Sequence, residues 1–132
     1  MGNYRVLIVD DDPDIRSIVR GILEPEGFEV SEAADGEDAL KQISAAPPNL
    51  ILLDLMMPGM NGSQFLAATA GLPRLSEVPV IIVTAFDDTI PQGERVLGVL
   101  NKPFNTHHLI AVVGAARRRF PEAVQRPTAT TS

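Results

Sequence analysis

The chain has 132 residues, no cysteine and a formal net charge of −6, from 11 basic and 17 acidic side chains. That length suits one domain with one core, and the missing cysteines exclude disulfides, a thiolate nucleophile and a Cys-based zinc site. The acidic balance opposes binding to nucleic-acid backbones, which draws on clustered Lys and Arg.

The opening Met1-Gly2-Asn3-Tyr4-Arg5 leads into Val6-Leu7-Ile8-Val9 and then three aspartates, too short and too acidic for an export signal. No run nears the roughly 20 apolar residues of a spanning helix, so a cytoplasmic chain without membrane contact is expected. Val6 to Val9 reads as a first strand, buried on both faces. Asp12 can cap a helix that starts at Pro13, where a missing N–H costs nothing. Ile15, Ile18, Val19, Ile22 and Leu23 recur at helical spacing, and Glu24-Pro25-Glu26-Gly27 stops the pattern.

Phe28-Glu29-Val30-Ser31 alternates as a second strand, Asp35-Gly36 punctuates, and Ala39, Leu40 and Ile43 mark a second helix ending before Pro47-Pro48. Leu50 to Leu53 is a third strand that delivers Asp54. Pro58-Gly59 and Asn61-Gly62 force a tight loop before a third helix carrying Phe65 and Leu66, which ends at Gly71-Leu72-Pro73. Val80 to Val83 is a fourth strand that delivers Thr84, and Pro91 and Gly93 then keep the next helix short or irregular. Val96 to Leu100 is a fifth strand before Lys102-Pro103-Phe104, and Asn105 caps a last helix with Leu109, Ile110, Val112 and Val113 on its apolar side. Arg117-Arg118-Arg119 closes that helix as cations complementing its dipole, and His107-His108 reads as a solvated helix start rather than a metal pair. Residues 121–132 are too poor in apolar side chains to pack and are expected to form a mobile tail on a domain of residues 1–120.

Polar residues thus follow strand after strand: Asp10, Asp11 and Asp12, then Asp54, Thr84 and Lys102. In a parallel sheet such residues gather at the carboxyl edge, where ligands bind. Crowded carboxylates suit a hard cation such as Mg²⁺, which completes its shell with carbonyl, water or phosphate oxygens. A carboxylate nucleophile at Asp54, a cation with Lys102 to neutralise charge, and the Thr84 hydroxyl as a donor are the parts of phosphoryl transfer onto Asp54.

Four motifs carry a family resemblance across residues 4–120: Val6-Leu7-Ile8-Val9-Asp10-Asp11-Asp12-Pro13, Leu53-Asp54-Leu55-Met56-Met57-Pro58-Gly59-Met60-Asn61-Gly62, Val83-Thr84-Ala85 and Lys102-Pro103-Phe104. The chain resembles the receiver domain of two-component response regulators. The resemblance implies a doubly wound, flavodoxin-like α/β fold with five parallel strands in order 2-1-3-4-5. It implies Asp54 as phosphoacceptor and Mg²⁺ held by Asp10, Asp11, Asp54 and the Met56 carbonyl, with Asp11 the more direct ligand. Thr84 and Lys102 would contact the phosphoryl group, and Lys102-Pro103 would be a cis peptide. A histidine kinase or phosphotransfer protein would supply the phosphoryl group to a regulator that acts on a downstream protein and catalyses only its own phosphorylation and dephosphorylation.

Two departures stand out. Lys102 follows Thr84 by 18 positions, about one helical turn fewer than is usual in the family, so the fourth helix should be truncated. Val99 stands where the family's switch carries an aromatic ring that rotates as the threonine hydroxyl moves, so the readout is expected to be atypical, with Phe86 as a candidate surrogate. With no second domain legible, the chain reads as a single-domain regulator or as a receiver cut from a larger kinase. Two rivals remain: a pseudo-receiver that binds partners without taking phosphate, and a haloacid-dehalogenase-type phosphatase using the Asp10 and Asp12 spacing.

Overall fold

Residues 4–57, 59–72, 77–85 and 95–121 are described by a computed structural model of the chain. Strands β1 (Arg5–Val9), β2 (Glu29–Ala33), β3 (Leu50–Asp54), β4 (Val80–Thr84) and β5 (Val96–Asn101) form one parallel sheet in the order β2-β1-β3-β4-β5. Helices α1 (Pro13–Leu23), α2 (Gly36–Ala45), α3 (Gly62–Ala70) and α4 (Thr106–Arg119) cover its two faces.

Strand periodicity explains how the faces are divided. Val6, Ile8, Leu50, Leu52, Ile81 and Val83 point to one side and pack with Val19 and Leu23 of α1 and Leu109 and Val113 of α4. Leu7, Val9, Ile51, Leu53, Val80 and Ile82 point to the other and pack with Ala39 and Ile43 of α2 and Phe65 of α3. Because both faces are buried, the strands read as unbroken apolar runs rather than alternating ones.

The helix starts follow the capping residues. Asp12 accepts the Asp14 N–H at 2.9 Å, Asp35 accepts that of Asp38 at 2.8 Å, and Asn105 accepts that of His108 at 2.7 Å. Asn61 and Gln64 form a reciprocal capping box at the head of α3, each bond 2.9 Å long. After α1, Glu24–Glu26 make a 3₁₀ turn that ends on Gly27 at φ 94°, a left-handed conformation suited to glycine.

Several boundaries differ from the sequence reading, with β1 starting at Arg5, β2 running on to Ala33 and β5 to Asn101. The second strand starts at Glu29, because the Phe28 N–H donates to the Leu23 carbonyl to close the turn. Asp54 and Thr84 are the last residues of their strands rather than the first beyond them. Ile18, expected on the apolar stripe of α1, is half exposed, since it lies roughly a quarter turn from the line through Ile15, Val19 and Ile22. The expected short fourth helix, Phe86 and nearly all of the expected tail fall outside the described residues.

Candidate functional site

The strand ends bring the acids together. Single oxygens of Asp10, Asp11 and Asp54 lie within 4.8 Å of one another, the sole such acid or histidine group among the described residues. Asp10 and Asp54 are buried and Asp11 is exposed, so the cluster opens to solvent at Asp11.

Each carboxylate is held differently. Asp10 accepts the Asp12 N–H through Oδ1 at 2.9 Å and pairs with Lys102 Nζ through Oδ2 at 2.8 Å. Its backbone is fixed as well, its N–H donating to the Ala33 carbonyl at 3.1 Å and its carbonyl accepting Arg16 at 2.7 Å. Asp54 accepts the Met56 N–H through Oδ1 at 3.1 Å, while its Oδ2 lies 3.5 Å from Lys102 Nζ. Lys102 therefore leans on Asp10 and leaves Asp54 the less compensated of the two.

The titration behaviour follows. Burial pushes the Asp54 carboxyl above the usual aspartate range and the nearby Asp10 charge adds to this, against the Met56 N–H and the Lys102 ammonium. For Lys102, burial pulls the pKa down, but the pairing with Asp10 and Asp54 outweighs it and leaves the amine above its ordinary value.

Thr84 is buried at the end of β4, whose register sets Val83 beside Asp54 and Thr84 beside Asn101 on β5. The Thr84 carbonyl accepts the Lys102 N–H at 2.8 Å, and Lys102-Pro103 is a cis peptide. Met56 exposes 57% of its surface beyond Asp54. Val99 does not join the cluster; it sits further back on β5, lining a cavity of about 190 Å³ with Ile81, Leu97, Val112 and Ala116. Asp12 caps α1 through Oδ1, and the acids that gather with Asp10 are Asp11 and Asp54.

One contributor was not singled out from the sequence. A Cβ on Gly62 would stand 2.7 Å from Leu55 Cδ2, 2.8 Å from Leu55 Cα and 3.0 Å from the Asp54 carbonyl. The head of α3 therefore closes directly onto the backbone that carries Asp54, its N–H donating to Leu55 at 3.1 Å. The Asn61-Gly62 pair read as a turn, and nothing local distinguishes a turn glycine from one pressed against another strand.

The oxygen donors fit a hard divalent cation. Mg–O bonds of 2.0–2.1 Å set opposite ligands about 4 Å apart, close to the span of the three carboxylates. Two acids paired with one amine, and Asp11 beside them, also leave negative charge to be neutralised.

A doubly wound sheet with such a cluster at its carboxyl edge defines a class of signalling domain, and comparison with known proteins gives the family. Residues 6–114 match the model for the response regulator receiver domain. The chain belongs to that family: it is a receiver domain of two-component response regulators, and its aspartate cluster fits the phosphoacceptor role. It is 38% identical over 125 residues to the DNA-binding response regulator MtrA of Mycolicibacterium smegmatis, covering 87% of this chain and 51% of that protein. It is 36% identical over 129 residues to the phosphate regulon transcriptional regulatory protein PhoB of Escherichia coli, covering 92% of this chain and 55% of that protein. The chain thus spans about half the length of these relatives. Among solved structures, the chemotaxis protein CheY4 of Vibrio cholerae matches with a TM-score of 0.78 at 31% identity, over 87% of this chain and 99% of that one. Receiver domains bind Mg²⁺ at an acidic cluster of this kind, and response regulators partner with histidine kinases. Among the described residues no helix is long and apolar enough to cross a membrane.

Proposed function

We propose that Asp54 takes a phosphoryl group from a histidine-kinase or phosphotransfer-protein phosphohistidine. The carrying observation is the convergence of Asp10, Asp11 and Asp54 around one point with Lys102 poised between two of them. Mg²⁺, held by Asp10, Asp11, Asp54 and the Met56 carbonyl, would supply counter-charge to the phosphoryl oxygens. An Asp54 carboxylate oxygen forms the new bond to phosphorus as the P–N bond breaks, and the imidazole nitrogen leaves with the electron pair. The Lys102 ammonium shifts from Asp10 toward a phosphoryl oxygen, and the Thr84 hydroxyl donates to another.

Phosphorylation then changes protein contacts. Val99 has no ring to rotate, so the output departs from a switch built on an aromatic partner of Thr84. We assign residues 1–120 to the receiver unit and direct contacts to proteins rather than nucleic acid, consistent with the −6 charge.

The test is intact-mass spectrometry after incubation with acetyl phosphate. The expected result is a gain of one phosphoryl group that needs Mg²⁺ and is lost in Asp54→Asn. No gain, or a gain that survives Asp54→Asn, rejects Asp54 as acceptor and favours the pseudo-receiver.

A further inference from the structure

Arg16 lies on α1, six residues after Asp10, and its guanidinium makes two contacts in different directions. One terminal nitrogen donates to the Asp10 carbonyl at 2.7 Å, and Nε donates to Glu32 Oε1 on β2 at 3.0 Å. The other oxygen of Glu32 accepts Arg20 Nε at 2.8 Å, and Arg20 also pairs with Glu24 at 2.7 Å. The Arg16 side chain is only 17% exposed, and hydrogen bonds from Arg20 first, and from Arg16, hold the Glu32 carboxyl below the usual range, so the carboxylate stays ionised.

The peptide gripped by Arg16 is the one joining Asp10 to Asp11. Its carbonyl belongs to the buried acid and its nitrogen begins the exposed one. A change in the Asp10 ψ angle would turn this carbonyl and carry the Asp11 side chain away from Asp10 and Asp54. A planar guanidinium with two anchored edges resists that rotation as a single ammonium cannot.

We infer that Arg16, locked in place by Glu32, is a positioning residue that orients Asp11 for a divalent cation. This rests on the metal reading given under Proposed function. Partners one layer out from metal ligands commonly change affinity 10–100-fold. Arg16→Ala should therefore weaken Mg²⁺ binding about tenfold, Arg16→Lys less, and Glu32→Gln about threefold.

The experiment is calorimetric titration of MgCl₂ into the full chain and the three variants, with metal-free melting curves alongside. The expected result is that ordering of affinities with wild-type Mg²⁺ enthalpy per site, in variants whose metal-free melting temperatures do not follow the same order. Phosphorylation by acetyl phosphate should also recover in Arg16→Ala at saturating Mg²⁺. Affinities within about twofold of wild type in Arg16→Ala and Glu32→Gln overturn the inference while leaving the metal site intact. Affinity losses that simply track melting temperature overturn it too, as a general structural effect. Should Arg16→Ala fail to fold, Glu32→Gln alone decides, since it keeps the shape of the side chain while removing the charge and one of the two oxygens that accept Arg16 and Arg20. Absence of Mg²⁺ binding in the wild type overturns the metal reading itself and this inference with it.

Discussion

The two ends of the sheet each hold a half-buried cation, and the groups described around it differ. At the carboxyl edge, Lys102 faces two buried carboxylates, with a third acid at the surface beside them. At the amino edge, Arg95, just before β5, donates to the Val78 carbonyl at 3.1 Å and the Thr69 hydroxyl at 2.7 Å, groups that carry no charge. Burial lowers the pKa of Arg95, whereas at Lys102 the acids reverse the effect of burial. Arg95 ties α3 and β4 to β5. Lys102 and its acids crowd negative charge into a place that suits a cation. One edge spends its polar groups on stability; the other holds them in a tension that ligand chemistry resolves.

The largest effect that sharpens this contrast is expected at the amino edge. Arg95→Met removes the donor to the Val78 carbonyl and to Thr69, whose hydroxyl keeps its bonds to the Phe65 and Leu66 carbonyls at 3.2 Å each. Leaving a buried carbonyl unpaired costs about 2 kcal/mol. Urea unfolding should show that loss, while Mg²⁺ affinity measured by calorimetry stays at the wild-type value. A large fall in Mg²⁺ affinity would break the separation of the two ends.

The carboxyl edge should respond in the opposite sense. Asp54→Asn removes a buried charge that both burial and Asp10 disfavour, and the amide oxygen can still accept the Met56 N–H. Without metal, the variant should melt about 4 °C above wild type, corresponding to roughly 1 kcal/mol. Because the folded-state pKa of Asp54 is raised, its contribution to stability is present below the ordinary aspartate range and is lost as pH rises through the folded value. The advantage of Asn should therefore grow from acidic to neutral pH, and added Mg²⁺ should erase it. An equal or lower melting point at pH 7 would show that Lys102 already compensates Asp54 in full.

These contrasts show which parts of the molecule local sequence encodes. Strand positions were legible because a doubly covered parallel sheet demands short unbroken apolar runs, and the clustering of Asp10, Asp11, Asp54 and Lys102 was legible because they stand at the ends of those runs. The Asp12 and Asn105 caps were legible because a helix start recruits its donors' partner within three residues, whereas Asp35 and Asn61 showed only as turn residues. What the pattern could not show is contact across the fold. Arg5 to Asn49 joins strands whose adjacency depends on the strand order, and Arg16 to Glu32 and Gly62 to Asp54 depend on how each helix seats against the sheet. Arg117 illustrates the limit: on sequence it is a cation at a helix end, yet its guanidinium lies over the rings of Tyr4, at 5.6 Å, and Phe28, at 5.3 Å. The remodelling expected between Thr84 and Lys102 falls largely on residues 86–94, outside the described residues.

That aromatic corner gives the smallest and most pH-specific prediction. Tyr4 and Phe28 meet edge to face at a centroid distance of 5.9 Å, and the Tyr4 hydroxyl is buried without a hydrogen-bond partner among the described residues. A buried hydroxyl without a partner is a cost, so Tyr4→Phe should be neutral or stabilising by about 0.5 kcal/mol at pH 7. Burial pushes the Tyr4 phenol from 10.0 up to about 12, with the Arg117 charge acting against it. A raised folded-state pKa means the folded protein holds this proton more tightly than the unfolded chain does. Its contribution is present below pH 10 and lost as pH rises through about 12. Wild type should consequently lose stability between those limits faster than Tyr4→Phe, and since the chain has a single tyrosine, the ultraviolet absorbance of the phenolate reports the titration without ambiguity. A Tyr4 that ionises near 10 in the folded protein would mean that the amino edge admits water and charge as readily as the carboxyl edge, and the division between a sealed end and a reactive end would fall.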